Sequence, residues 1–123
     1  MLRASPRTLA IAGCVVLLIA VIAACADAKA APRSTQYRPL VCRVFGAHCG
    51  AAWAVVRCES GGARWAWSGA DAGLFQANYA AHHRPGESVA SFRSRHARVL
   101  WHIRWAYRLS HGGTDWSAWT CKP

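Results

Sequence analysis

Three stretches of the chain carry a readable pattern of apolar and polar positions. Leu9 to Ala24 is apolar apart from Cys14; Arg3 and Arg7 precede it, and Ala28-Lys29-Ala30 follows with small residues around a cut after Ala30. A charged start, an apolar middle and a small-residue end are the three parts of a secretory signal. Ala51 to Glu59 contains no Gly or Pro and places Ala52, Val55 and Val56 at helical spacing, with Trp53 and Ala54 beside them. That spacing predicts a helix stopped by Ser60-Gly61-Gly62, with Glu59 at its C-terminal end. In Ala97 to Ser110, Leu100, Ile103 and Tyr107, and likewise Val99, Ile103 and Ala106, share one face, while Arg98, Arg104 and Arg108 occupy other positions. A second helix is predicted there, stopped by Gly112-Gly113. Ser88 reads as the N-cap of a short helical turn over Val89 to Arg93. No alternating run of four or more residues suggests a strand, so the expected fold is all-α or nearly so.

The chain has 123 residues, 54% of them hydrophobic, a share raised by the N-terminal segment. One small domain is left once that segment is set aside, which excludes both a disordered tail and a large multidomain enzyme. The expected organisation is a signal peptide or membrane anchor over residues 1–30, a polar linker over 31–39 containing Pro32, Ser34, Thr35, Gln36 and Pro39, and a folded domain over 40–123. Three fates of the first segment stay open: cleavage after Ala30, lipidation of Cys25 in the lipobox-like Ile22-Ala23-Ala24-Cys25, and retention of Leu9 to Ala26 as a short membrane span. Each puts the domain outside the cytoplasm, secreted or attached to the outer face of the membrane or wall.

Cysteine usage fits an oxidising compartment. Setting aside Cys14 and Cys25 leaves Cys42, Cys49, Cys58 and Cys121, an even number in a short exported chain, so two disulfides are expected rather than free thiols or a zinc site. Of the three connectivities, Cys42 to Cys49 with Cys58 to Cys121 is favoured. The second bond would close a loop of about 60 residues and clamp a small core, worth roughly 3 to 4 kcal/mol in the chain-entropy model. The first carries a condition: residues seven apart on one straight helix lie about 10 Å apart along its axis, beyond disulfide reach. Gly46 should therefore mark a turn or helix break.

Charge narrows the partners. After Ala30 there are twelve basic side chains against Glu59, Asp71, Glu87 and Asp115, a net of +8. Such a field attracts polyanions. In an exported protein these are anionic envelope polymers or lipid rather than nucleic acid.

Four carboxylates make a short list for acid/base chemistry. Glu59 stands out, because a carboxylate at a helix C-terminus faces the negative end of the macrodipole, a placement that suits a proton donor. Trp65, Trp67, Phe75 and Tyr107 could supply an apolar wall for it, and aromatic faces are what sugar rings stack on.

The pattern around these residues is more specific than any single one. Cys58-Glu59-Ser60-Gly61-Gly62, then Asp71-Ala72-Gly73-Leu74-Phe75-Gln76, then Ile103-Arg104-Trp105-Ala106-Tyr107, then Trp116-Ser117-Ala118-Trp119-Thr120-Cys121 resembles the small lysozyme-like domains of secreted lytic transglycosylases. Cys58 and Cys121 also look like the paired cysteines of resuscitation-promoting factors, which are relatives of the same fold. The resemblance spans roughly 40–123 and departs at His102, where the family often has Asn, and after Gln76, where many members carry a Pro.

The resemblance implies a lysozyme-like domain that cleaves the bond between N-acetylmuramic acid and N-acetylglucosamine in peptidoglycan as a monomer and without a cofactor. Glu59 would be the catalytic acid and then base, with the substrate's own N-acetyl group and C6 hydroxyl completing the reaction to a 1,6-anhydro end. Ser60 opens that site, Gly73, Leu74, Phe75 and Gln76 line the sugar cleft with Gln76 and the Gly73 backbone holding acetamido groups, and Tyr107 orients Glu59. Two alternatives stand beside it: Asp71 positions water and makes the enzyme a hydrolysing muramidase, or the domain is a non-catalytic basic wall-binding module. A cationic membrane-active protein is a third. Six histidines fit no metal-ligand spacing, and no metal is expected.

Overall fold

The computed structural model describes residues 34–123. The expectations for residues 1–30, including the fate of Cys25, lie outside them. The described residues lie within one compact unit. The chain enters through Ser34, whose N–H donates to the Gly61 carbonyl at 2.9 Å, and runs into α1 (Arg38–Phe45). A 3-10 turn over Gly46–His48 leads into α2 (Cys49–Ser60). Three two-residue strands follow, β1 (Trp67–Ser68), β2 (Asp71–Ala72) and β3 (Ala77–Asn78), then α3 (Tyr79–His82), α4 (Val89–His96) and α5 (Val99–Leu109).

The fold is thus mixed α and β, not all-α. The strands form an antiparallel sheet in the order β1-β2-β3, with Ser68 opposite Asp71 and Asp71 opposite Asn78. Strands of two residues cannot show the period-two alternation that reveals a strand in sequence. They are made by tight turns, with Gly69 and Gly73 at φ of 58° and 82°, a region open to glycine at no steric cost. The folded unit also begins earlier than expected: Ser34 is bonded to the end of α2, and Arg38 and Pro39 are already helical. Proline is tolerated in a first turn because its missing N–H would have no partner there.

Both disulfides, Cys42–Cys49 and Cys58–Cys121, are present. Gly46, at φ 57°, ends α1 and turns the chain back, bringing the Cα atoms of Cys42 and Cys49 to 4.5 Å. Taken as one run, Arg38–Ser60 is long and apolar enough to cross a membrane. The break at Gly46 folds it into a disulfide-closed hairpin, and its apolar residues Val41, Phe45, Ala52, Trp53, Val55 and Val56 are buried in the main core with Leu74, Phe75, Ile103, Ala106, Trp116 and Trp119. The Ser88 hydroxyl accepts from Ser91 N–H, capping α4.

Beneath the sheet, a buried histidine pair ties α4 and α5 to the segment after β2. Phe75 N–H donates to His102 Nε2 at 2.9 Å, so the His102 proton sits on Nδ1. From there it is donated to His96 Nδ1 at 2.8 Å. The His96 proton is therefore on Nε2, which is buried without a hydrogen-bond partner amid the rings of Phe92, Trp101 and Trp105. Gly73 backs onto the pair, and a Cβ there would meet the His96 carbonyl and the His102 ring.

Burial, reinforced by the Arg95 charge, pushes His96 down to about 3. Burial, and then His96, hold His102 well below the usual histidine range. Around them, His82, Arg84 and Arg95 add positive charge, opposed by Glu87. Glu87 is itself held down to about 2, chiefly by its hydrogen bond from Arg95.

Unfolded histidines take up protons near pH 6.5, whereas the folded pair refuses them. Stability is therefore full above that value and falls as the pH drops toward 3, by about 1.4 kcal/mol per pH unit for each histidine titrating only in the unfolded chain. Glu87 acts in the same direction, its contribution being lost as the pH falls from the ordinary carboxylate range toward 2. Urea midpoints measured from pH 7 to 4 should decline steadily, and His102→Asn should flatten the decline. A midpoint independent of pH over that range would contradict the neutral pair.

Candidate functional site

A cleft of about 270 Å³ lies between the end of α2, the sheet and the C-terminal segment, lined by Glu59, Asp71, Gln76, Asn78, Ala118, Trp119 and Thr120. Glu59 reaches it because the helix that begins at Cys49 runs to Ser60 and stops at Gly61, which adopts the left-handed conformation and returns its N–H to the Arg57 carbonyl. The half-buried Glu59 carboxylate accepts Cys121 N–H on Oε1 at 3.0 Å. Its second oxygen is left for a ligand.

Asp71 faces the same cleft from β2. Its Oδ1 accepts from the Asn78 amide at 2.8 Å, so the carboxylate is oriented by the neighbouring strand. It is a half-buried strand residue, paired with Ser68 on one side and Asn78 on the other.

Gln76 forms the floor. It is 8% exposed and sits at φ 48°, a region costly for a non-glycine residue and frequent at functional sites. Both amide hydrogens hold it there: Nε2 donates to the Gly73 carbonyl at 2.8 Å and to the Ala66 carbonyl at 3.1 Å. Only its amide oxygen is free to meet a ligand. Trp119 closes one side, fixed by Nε1 donating to the Phe75 carbonyl at 2.8 Å.

Other expected site residues lie elsewhere. Leu74 and Phe75 are fully buried and belong to the core rather than to a sugar-lining surface; the Phe75 peptide is spent on His102 and Trp119. The Ser60 hydroxyl donates to the Val56 carbonyl and accepts Gly62 N–H, which makes it part of the helix stop. Tyr107 packs edge-on against Phe45 and stands over Gly112, outside the Glu59 cleft. Gly73 lines a different groove together with Trp65. Of the residues expected to line the sugar site, Gln76 alone shares the cleft with Glu59.

Sequence reasoning did not assign Trp119, Asn78, Ala118 or Thr120 to the cleft. The Trp-x-x-Trp-x-Cys ending was visible, and a bond from Cys121 to the residue before Glu59 draws that ending over Glu59. Among the described residues, no three metal-ligating side chains gather in one place.

No protein-family model, curated protein or solved structure matches the chain. Its chemistry is therefore read from the cleft itself and from the motifs quoted above.

Proposed function

We propose that the folded unit is an exported enzyme that cleaves the glycan strands of peptidoglycan, with Glu59 as proton donor and then acceptor. The observation that carries this reading is the single cleft in which Glu59, held by Cys121 N–H, sits with Gln76 and Trp119. A glycosidic bond needs a proton on its departing oxygen, and Glu59 is the residue placed to give it. Trp119 offers an indole edge, and the Gln76 oxygen can accept from an acetamido N–H. Two disulfides suit the oxidising space where such a polymer is found, and the basic surface suits an anionic wall.

In the transglycosylase course, the C1–O bond breaks as Glu59 protonates the leaving oxygen. The Glu59 carboxylate then takes the C6 hydroxyl proton as that oxygen closes on C1. The position of Asp71 in the same cleft favours a second course, in which it holds a water that attacks C1 and the product is a reducing end.

Mass spectrometry of soluble fragments from purified peptidoglycan separates these outcomes. Anhydro ends are expected from the first course and reducing ends from the second. A folded, oxidised protein that binds peptidoglycan and releases nothing would overturn the enzymatic reading and leave a wall-binding module.

A further inference from the structure

On the other face of the sheet lies a groove of about 320 Å³ that the cleavage reading does not use. It is lined by Arg64, Trp65, Ala66, Ala72, Gly73, Ala90, Arg93 and Ser94. Consecutive strand residues point to opposite faces, so Asp71 serves the Glu59 cleft while Ala72 serves this groove.

Trp65 is 64% exposed, the most exposed large apolar side chain among the described residues. It stands between this groove and a second hollow bordered by Gln36, Tyr37 and Gly62, which it also lines. The folded chain has no core to offer an indole placed this way. Its flat face is suited to a ligand that combines apolar C–H surface with polar edges, which describes a pyranose ring.

The arginines set the charge of that ligand. Arg64 lies over the Trp65 ring at 5.0 Å and Arg93 over the Trp67 ring at 4.2 Å. Each guanidinium is thus held by an indole and not by a carboxylate. The four carboxylates of the described residues are all placed elsewhere: Glu59 and Asp71 in the other cleft, Glu87 on Arg95, and Asp115 on Ser117 N–H. Two arginines from separate elements therefore face one groove with no counter-ion among the described residues, beside the hydroxyl-bearing Ser94. Guanidinium forks on oxyanions are among the strongest polar contacts available.

We propose that this groove is a second carbohydrate site that binds a linear anionic glycan, with sugar rings against Trp65 and their acidic groups on Arg64 and Arg93. It is independent of Glu59 and would hold the protein on an acidic polymer while the other face works. Because it depends on a ring face as well as on charge, it differs from the general attraction of a basic protein for polyanions.

Polygalacturonate is a suitable probe, with its fully methyl-esterified form as the uncharged control, measured by calorimetry on the oxidised protein. Trp65→Ala, and separately Arg64→Gln with Arg93→Gln, should each weaken binding at least about tenfold, and esterification should abolish it. Arg104→Gln with Arg108→Gln removes the same charge from a separate hollow on α5 that shares no residue with this groove and should leave affinity within about twofold, as should Glu59→Gln. Equal weakening by the two arginine pairs, or unchanged binding by Trp65→Ala, would overturn the site. Far-ultraviolet circular dichroism and a cooperative thermal melt like the parent's show that each variant is folded. Loss of cleavage in Glu59→Gln with retained polygalacturonate binding separates this site from the cleavage site.

Discussion

Replacing Glu59 by Gln is expected to lower release of soluble peptidoglycan fragments by at least about 10²-fold, the scale of a lost general acid, with thermal stability nearly unchanged. The fold tolerates this substitution because the contact seen at Glu59 is an accepted hydrogen bond from Cys121 N–H, and the Gln carbonyl accepts it equally well. What disappears is the exchangeable proton. Asp71→Asn is the informative partner. Asn keeps an oxygen for the Asn78 amide but cannot take a proton from water. A transglycosylase should retain most of its activity in that variant, whereas a hydrolase should lose about as much as with Glu59→Gln. Fragment release by Glu59→Gln at the parent rate would remove Glu59 from the chemistry and point to membrane or wall disruption by charge alone.

How much of this was legible depends on the range of the interaction concerned. The helices around Val55 and Ile103 were readable because their apolar faces repeat over two or more turns. The break at Gly46 was readable because a covalent constraint, the Cys42–Cys49 bond, required one. The Ser88 cap is a local contact and was legible for that reason. The sheet was not, because its strands are shorter than one alternation and are defined by partners rather than by composition. Leu74 and Phe75 could be placed only once Trp119, 44 residues away from Phe75 in sequence, was known to claim the Phe75 carbonyl. Tyr107 shares a helix with Ile103, but the rotation of that helix turns it toward Phe45.

The histidine pair shows the same limit. His102 sits beside Ile103 and one turn before Ala106, so helical spacing alone could have marked it as inward-facing. Its role needed His96 from a different helix. By spacing alone such residues look like dispersed metal ligands, whereas here the His102 ring donates its Nδ1–H to His96 Nδ1 and accepts Phe75 N–H on Nε2. Phe75 lies directly before Gln76 and its carbonyl accepts from Trp119 Nε1, so the pair supports two walls of the cleft without lining it.

Removing Cys58–Cys121, by replacing both residues with Ser, is expected to have the second large effect, and its pattern matters more than its size. The bond joins residues 63 apart, against seven for Cys42–Cys49. The chain-entropy model assigns about 4 kcal/mol to a loop of the first length and about 2 to the second. For a domain of this size, 1 kcal/mol shifts Tm by roughly 4 to 8 °C, so the long-range variant should melt more than about 10 °C lower, and further down than Cys42→Ser with Cys49→Ser. The cleft adds a second difference. Cys121 N–H orients Glu59, and the neighbouring Ala118, Trp119 and Thr120 form one wall. The Trp119 indole and the Lys122 ammonium, which donates to the Trp116 and Trp119 carbonyls, keep that segment near its place when the disulfide is absent. Well below both melting temperatures, fragment release should therefore fall in the Cys58/Cys121 variant while binding of polygalacturonate to the opposite face persists, and the Cys42/Cys49 variant should keep both. Full activity of the Cys58/Cys121 variant at a temperature where it is folded would mean that Glu59 needs neither the disulfide nor a fixed Cys121 amide to reach its working position.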